Sequence, residues 1–134
     1  EAEVFVGKKG LRTAYEKLVQ NISKDDEILF FYIHDEKYAE ESNLFYSSIV
    51  DLNKKTKNRG ICNKYYKTSW FAKTSNYLTM KFTDMPLPGN IDIANDKVLF
   101  TCWGESIFSV LIHSKSLVEN LRNYFNEMWK LAKK

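Results

Sequence analysis

Histidine, cysteine and proline each occur only twice in this chain of 134 residues, and glycine five times. His34 and His113 lack partners at metal-ligand spacing, and Cys62 and Cys102 do not form a zinc-type pair. No metal or cofactor motif is therefore legible. The glycines are scattered, which excludes a Gly-rich phosphate loop, and no serine elbow is present. No hydrophobic run approaches the ~18 residues of a membrane-spanning helix. No secretory signal pattern is found either, so a soluble, membrane-free protein is expected. Neither charge sign dominates: 20 basic and 17 acidic residues leave a net charge of +3. Nucleic-acid binders usually concentrate a basic face, and this balance does not imply one. Two cysteines far apart in strand-like runs read as buried thiols, which suits a reducing cytoplasm.

Apolar surface, by contrast, is abundant. The hydrophobic fraction is 44%, with nine Phe, eight Tyr and three Trp. That is enough for a dense core in one domain spanning 1–134. Val4-Phe5-Val6 reads as a strand, and Gly10 as the opening of a helix with Leu11, Ala14, Tyr15, Leu18, Val19 and Ile22 on one face. Glu27 to Ile33 is a nearly continuous apolar run, the signature of a strand buried on both faces. Tyr38 to Asn58 reads as a second helix burying Leu44, Phe45, Ile49 and Leu52, with Gly60 as its stop. Strands follow at 61–66, 77–82, 91–94, 98–103 and 107–112, with a turn at Asn95-Asp96-Lys97. Segment 68–75 fits a short helix or a loop. The last helix is capped by Ser114 or Ser116 and carries Leu117, Leu121, Tyr124, Phe125, Met128 and Trp129 on its apolar face. This order predicts an α/β domain: a mixed β-sheet flanked by helices on its faces.

Three features invite a chemical reading. Asp25-Asp26-Glu27 reads as a solvated turn, because adjacent carboxylates do not face a common substrate. The stretch Lys54 to Lys73 interleaves Lys54, Lys55, Lys57, Arg59, Lys64, Lys67 and Lys73 with Tyr65, Tyr66, Trp70 and Phe71. Cations for phosphates and rings for bases would suit a nucleic-acid module; solvated charges on a helix end and a loop are the plainer explanation. His34 closes a buried strand, and in open α/β sheets the carboxyl ends of strands border the ligand crevice. The expected small-molecule site therefore comprises Tyr32 and His34 at the end of one strand and Tyr65 near the end of the next. Trp103, Gly104 and Glu105 complete it after 98–103. Trp103 offers a flat wall, Gly104 close backbone approach, and Glu105 with His34 the few polar contacts of a mostly apolar pocket.

Three stretches carry a family resemblance: Glu3-Val4-Phe5-Val6-Gly7-Lys8-Lys9-Gly10-Leu11, Lys57-Asn58-Arg59-Gly60-Ile61, and Asp92-Ile93-Ala94-Asn95-Asp96-Lys97-Val98-Leu99-Phe100 with the closing Phe125-Asn126-Glu127-Met128-Trp129. Together they resemble the C-terminal regulatory domain of the TrmB family of prokaryotic transcription regulators, which looks like half of a phospholipase-D-type fold. Catalytic proteins of that fold carry His-x-Lys-x-x-x-x-Asp before the corresponding hairpin. With Asp96 in the Asp place, Gly89 and Ile91 hold the other two; with Asn95 there, Pro88 and Asn90 do. Neither register supplies an imidazole nucleophile or a phosphate-binding lysine.

The resemblance implies a non-catalytic, cytoplasmic, effector-sensing and dimerisation domain, archaeal or bacterial, acting as a homodimer. It would reach DNA only through an N-terminal winged helix that these residues do not include. The opening Glu1-Ala2-Glu3 without an initiator Met is the expectation of a fragment or a processed product. A nucleic-acid-binding module on 54–73 and a small enzyme with an unrecognised site are the alternatives.

Overall fold

The computed structural model describes residues 1–134. Ala2–Val6 (β1) leads at once into Gly7–Leu18 (α1), followed by Glu27–Tyr32 (β2), Ala39–Ser48 (α2), Val50–Asn53 (α3) and Lys57–Asn63 (β3). A 3-10 turn at Lys64–Thr68 and Trp70–Thr74 (α4) precede Leu78–Thr83 (β4), Asn90–Ala94 (β5), Lys97–Cys102 (β6), Phe108–His113 (β7) and Lys115–Leu131 (α5). One seven-stranded sheet runs through the molecule in the order β1-β7-β6-β5-β2-β3-β4. The β2–β3 and β3–β4 pairs are parallel and the others antiparallel, so the sheet is mixed, as the sequence predicts.

Two cores sandwich this sheet. Leu11, Ala14, Tyr15 and Leu18 of α1, with Phe45 and Ile49, pack on Ile28, Ala94, Leu99 and Leu111. On the opposite face Val118, Phe125 and Met128 of α5 pack on Leu29, Phe31, Ile61, Ile91, Ile93 and Val98. Strands covered on both sides are commonly apolar on both, which is why β2 reads as a nearly unbroken run, whereas β5 is buried although it alternates and carries Asp92. A smaller cluster of Tyr32, Cys62, Tyr66 and Phe71 lies where α4 and the 3-10 turn meet the end of the sheet.

Several boundaries differ from the sequence reading. The first helix begins at Gly7, whose φ of 74° turns the chain directly out of β1, and Gly7 N donates to Ile107 O at 2.8 Å. The helix expected over 38–58 ends far earlier. Asn58, Arg59 and Gly60 belong to β3, where Arg59 pairs with Leu29 on one side and Thr79 on the other. Two ladders of backbone hydrogen bonds outweigh local helix preference there. Gly60 is consequently a mid-strand residue and not a helix stop. The Phe30 ring lies over it so closely that a Cβ at Gly60 would come within 2.0 Å of ring carbons. Leu44, expected inside, is 64% exposed because α2 turns only Phe45 and Ser42 inward. Tyr65 falls beyond β3, in the 3-10 turn. Of the two thiols, Cys62 is buried and Cys102 exposed, for Cys102 ends β6 opposite Phe108, on sheet surface that α5 does not cover. In α5, Tyr124 lies largely in solvent and Trp129 is half-buried, whereas Phe125 is sealed.

Candidate functional site

The end of β2 is held by two asparagines from its neighbours. Asn63, closing β3, accepts from His34 N at 2.7 Å and donates to His34 O at 3.0 Å. Asn90, opening β5, accepts from Ile33 N at 2.7 Å. These bonds satisfy backbone groups that the ladders no longer reach, and they fix where His34 stands. Its imidazole is enclosed: Nε2 lies 3.2 Å from Glu36 Oε1, and Nδ1 is buried without a hydrogen-bond partner.

From His34 a chain of rings runs inward. His34 meets Tyr66 at 5.3 Å between centroids, and Tyr66 meets Tyr32 at 4.7 Å. Tyr32 meets Tyr46 edge-on at 5.7 Å, and Tyr46 meets Trp103 at 6.0 Å. The Tyr32 hydroxyl lies 2.6 Å from Ser42 Oγ, and burial pushes its pKa up to about 12. Trp103 also packs on Phe45, and its indole Nε1 is buried, facing the Tyr46 hydroxyl. The structure thus joins Tyr32 and His34 directly and links Trp103 to them through Tyr46. Gly104 and Glu105 form the turn behind Trp103, with Glu105 in solvent. Tyr65 stands apart, 68% exposed with the Lys64 ammonium over its ring; the ring turned inward here is Tyr66.

Beside this chain lies a cavity of about 40 Å³ whose lining includes Tyr15, Phe30, Tyr46, Asn53, Tyr77 and Asp92. Asp92 sits mid-strand in β5, opposite Phe30 on one side and Leu99 on the other. Its carboxyl is buried without an offsetting bond or charge, and desolvation raises its pKa to about 7. Asn53 donates from Nδ2 to the Tyr15 hydroxyl at 3.0 Å, while its Oδ1 is buried and unpaired. Tyr15 and Tyr46 are driven well above the usual phenol range by burial, and the Asp92 charge adds to the shift. Asp92, Tyr46, Tyr66 and Asn53 escaped the sequence reading. No signal marked Asp92: Asn90-Ile91-Asp92-Ile93-Ala94 alternates, a pattern that by itself puts Asp92 on a solvent face, whereas the structure buries it.

The β5–β6 hairpin turns through Asn95, whose φ of 55° suits a two-residue connection. Pro88 and Gly89 precede β5 in the connecting loop, and the Asn90 side chain is committed to Ile33 N. Around the basic stretch, five of the eleven cations and rings are engaged or buried. Arg59 grips Glu27 through two bonds of 2.7 and 2.9 Å, reaches Asn126 Oδ1 at 3.1 Å and lies over the Phe125 and Trp129 rings. Lys64 pairs with Asp84 at 3.0 Å, Lys67 donates to Lys134 O at 3.0 Å, and Tyr66 and Phe71 are buried. Lys54, Lys55, Lys57, Lys73, Tyr65 and Trp70 remain exposed.

No family model matches the chain. No characterised protein matches it at the level of sequence. Solved structures do. TrmBL2, an archaeal chromatin protein described as showing a novel mode of DNA binding, superposes with a TM-score of 0.61 at 18% identity, over 99% of this chain and 53% of its own. The chain therefore spans about half the length of TrmBL2. Nuc, a phospholipase D family member from Salmonella typhimurium, superposes with a TM-score of 0.67 at 13% identity, over 99% of this chain and 97% of its own. NucT from Helicobacter pylori gives a TM-score of 0.62 at 12% identity, over 99% and 98% respectively. The fold is that of the phospholipase D type.

Proposed function

We propose that residues 1–134 form a non-catalytic effector-sensing and dimerisation domain of a prokaryotic transcription regulator, working in the cytoplasm as a homodimer. The observation that carries this reading is the content of the β5 hairpin. On a phospholipase-D-type fold, the places of the nucleophilic His and phosphate-binding Lys fall on Pro88 and Asn90, or on Gly89 and Ile91. None of these side chains can attack phosphorus or neutralise a phosphate, and folds commonly outlive their chemistry. The likeness to half of TrmBL2 supports a regulatory role for such a domain, with DNA contacted through a winged-helix segment outside these residues.

The effector would bind at the carboxyl ends of β2 and β3 and the turn after β6, against Tyr32, His34, Tyr65, Trp103, Gly104 and Glu105. The unpaired His34 Nδ1 supports a ligand there, since buried polar atoms normally find partners; Trp103 Nε1 instead faces the Tyr46 hydroxyl. Such a ligand shifts the two subunits only through differential affinity for two arrangements. Three measurements test the reading. A chromogenic phosphodiester should be turned over only at background rate; turnover abolished by a point substitution in this chain would overturn the non-catalytic assignment. Sedimentation should report a dimer, and a monomer at high micromolar concentration contradicts the dimerisation role. A thermal-shift screen should find a ligand whose stabilisation is weakened in His34→Ala or Trp103→Ala. Undiminished stabilisation in both folded variants places the site elsewhere.

A further inference from the structure

The cavity over Asp92 offers no positive charge to a buried carboxylate. The Asp92 carboxyl, 92% buried by its 8% residual exposure, lines it without accepting a hydrogen bond. Asn53 Oδ1, also in the lining residues, is a second acceptor without a donor. Most of the remaining lining is aromatic, Tyr15, Phe30, Tyr46, Tyr66 and Tyr77 among it, with Asn58 and Leu78 beside them and no lysine or arginine. The space itself follows from the sheet register, Leu99–Asp92–Phe30–Gly60–Met80. Gly60 has no side chain, so the Phe30 ring lies down over it and leaves the room beside Asp92 unfilled.

We propose that this cavity is a binding site for the ammonium end of a small aliphatic amine. A primary ammonium brings three donors and one charge to a place holding two unpaired acceptors, and aromatic faces attract such a cation further. A divalent metal does not match: hard cations take six or more oxygens, and no group of three His, Cys, Asp or Glu side chains converges here. A water position needs roughly 10–15 Å³, so about 40 Å³ accommodates the nitrogen and one or two carbons of an alkylamine. The site is a binding property of this chain, independent of whether binding is relayed to DNA.

Ethylammonium chloride is the probe, with ethanol and sodium chloride as neutral and ionic controls, read by amide NMR and thermal shift. At pH 8 the amine should bind with Kd on the order of 1 mM, the ceiling for a ligand of three non-hydrogen atoms. Amide shifts should centre on Phe30, Asn53 and Asp92. Neither control should reproduce them. Asp92 must be ionised to hold the cation, so affinity should fall by up to roughly 100-fold between pH 8 and pH 5. The titratable groups lining the cavity with it are the phenols of Tyr15 on α1, Tyr32 on β2, Tyr46 on α2, Tyr66 in the 3-10 turn and Tyr77 before β4, all raised by burial and neutral over that range. Asp92→Asn should abolish binding, and Asn53→Leu should weaken it several-fold even if the first variant does not fold. Absence of amine-specific shifts at 50 mM, equal binding of ethanol, or undiminished binding in either folded variant would each overturn the assignment.

Discussion

A single carboxyl sets the pH response expected of this protein. Burial of the Asp92 carboxyl away from water pushes its pKa up to about 7 from the ordinary aspartate value of about 4. Between those values the folded chain holds a proton that the unfolded chain has released. Stability should therefore be highest below the unfolded value, fall as pH rises from about 4 to about 7, and level off above. Three units correspond to roughly 4 kcal/mol at most, since each is worth ~1.4 kcal/mol. Asp92→Asn should flatten that part of the curve and raise stability at pH 8 by ~2–4 kcal/mol. Urea unfolding at several pH values decides it, and an unaltered slope in the variant would show that another group is responsible. Arg59 poses the opposite case, a partly buried charge bonded to Glu27 and Asn126 and stacked over two rings. Arg59→Met should cost ~2–4 kcal/mol because Glu27 is left half-buried and alone, and adding Glu27→Gln should recover part of it. A strictly additive double-mutant cycle would mean that the pair does not interact in solution.

At the scale of elements, β3 and α5 carry the main lessons. Replacing Gly60 by Ala would drive a methyl group into the Phe30 ring. Overpacking of this kind costs ~1–3 kcal/mol, and the displaced ring would enter the space beside Asp92. A melting temperature equal to that of the parent protein would show that Phe30 has somewhere else to go. In α5 the Trp129 ring stacks on Phe125 at 5.7 Å and lies beneath Lys81 Nζ at 4.5 Å, while remaining half-buried. Full burial would make Trp129→Ala worth ~3–5 kcal/mol; the partial burial observed lowers the expected loss to about 2–3 kcal/mol. Phe125→Ala, in a residue with no exposure, should cost more than Trp129→Ala. Denaturant midpoints measured side by side check the order, and its reversal would contradict the packing described. At the start of the helix, Ser114 Oγ accepts from Leu117 N at 3.2 Å, which selects Ser114 over Ser116 as the cap.

For the whole molecule, charge and sheet edges govern what else it can touch. A net charge of +3, with Arg59, Lys64 and Lys67 already bonded within the fold, leaves a diffuse positive field. These residues alone should bind DNA no more tightly than ~10⁻⁴–10⁻⁶ M at physiological salt, without sequence preference. A salt-resistant, sequence-specific complex would favour the nucleic-acid module instead. The two ends of the sheet are treated differently. At β4 Lys133, just after α5, pairs with Phe82 and closes part of the edge. At β1 the outer side is open, with Val4 67% and Val6 72% exposed. No helix of the molecule is long and apolar enough to cross a membrane.

Apolar periodicity by itself determined most of the architecture. The run Glu27 to Ile33, apolar on both faces, read as a central strand, and the stripes Leu11–Ile22 and Leu117–Trp129 read as helices lying on a sheet, because that arrangement buries them. The same reading placed Tyr32, His34 and Trp103 near one end of the sheet, since they close strands. Distances along the chain could not say which neighbours those residues would meet. The segment Lys57–Gly60 has local preferences compatible with a helix end, and it became a strand only because β2 and β4 stand on either side to take its hydrogen bonds. Asp92 reads locally as the acid of an alternating strand. Its burial in a cavity lined with Asn53, Tyr15 and Tyr46 was decided by the strand order that sets β5 beside β2, together with a glycine in β3 that lets one phenylalanine lie flat.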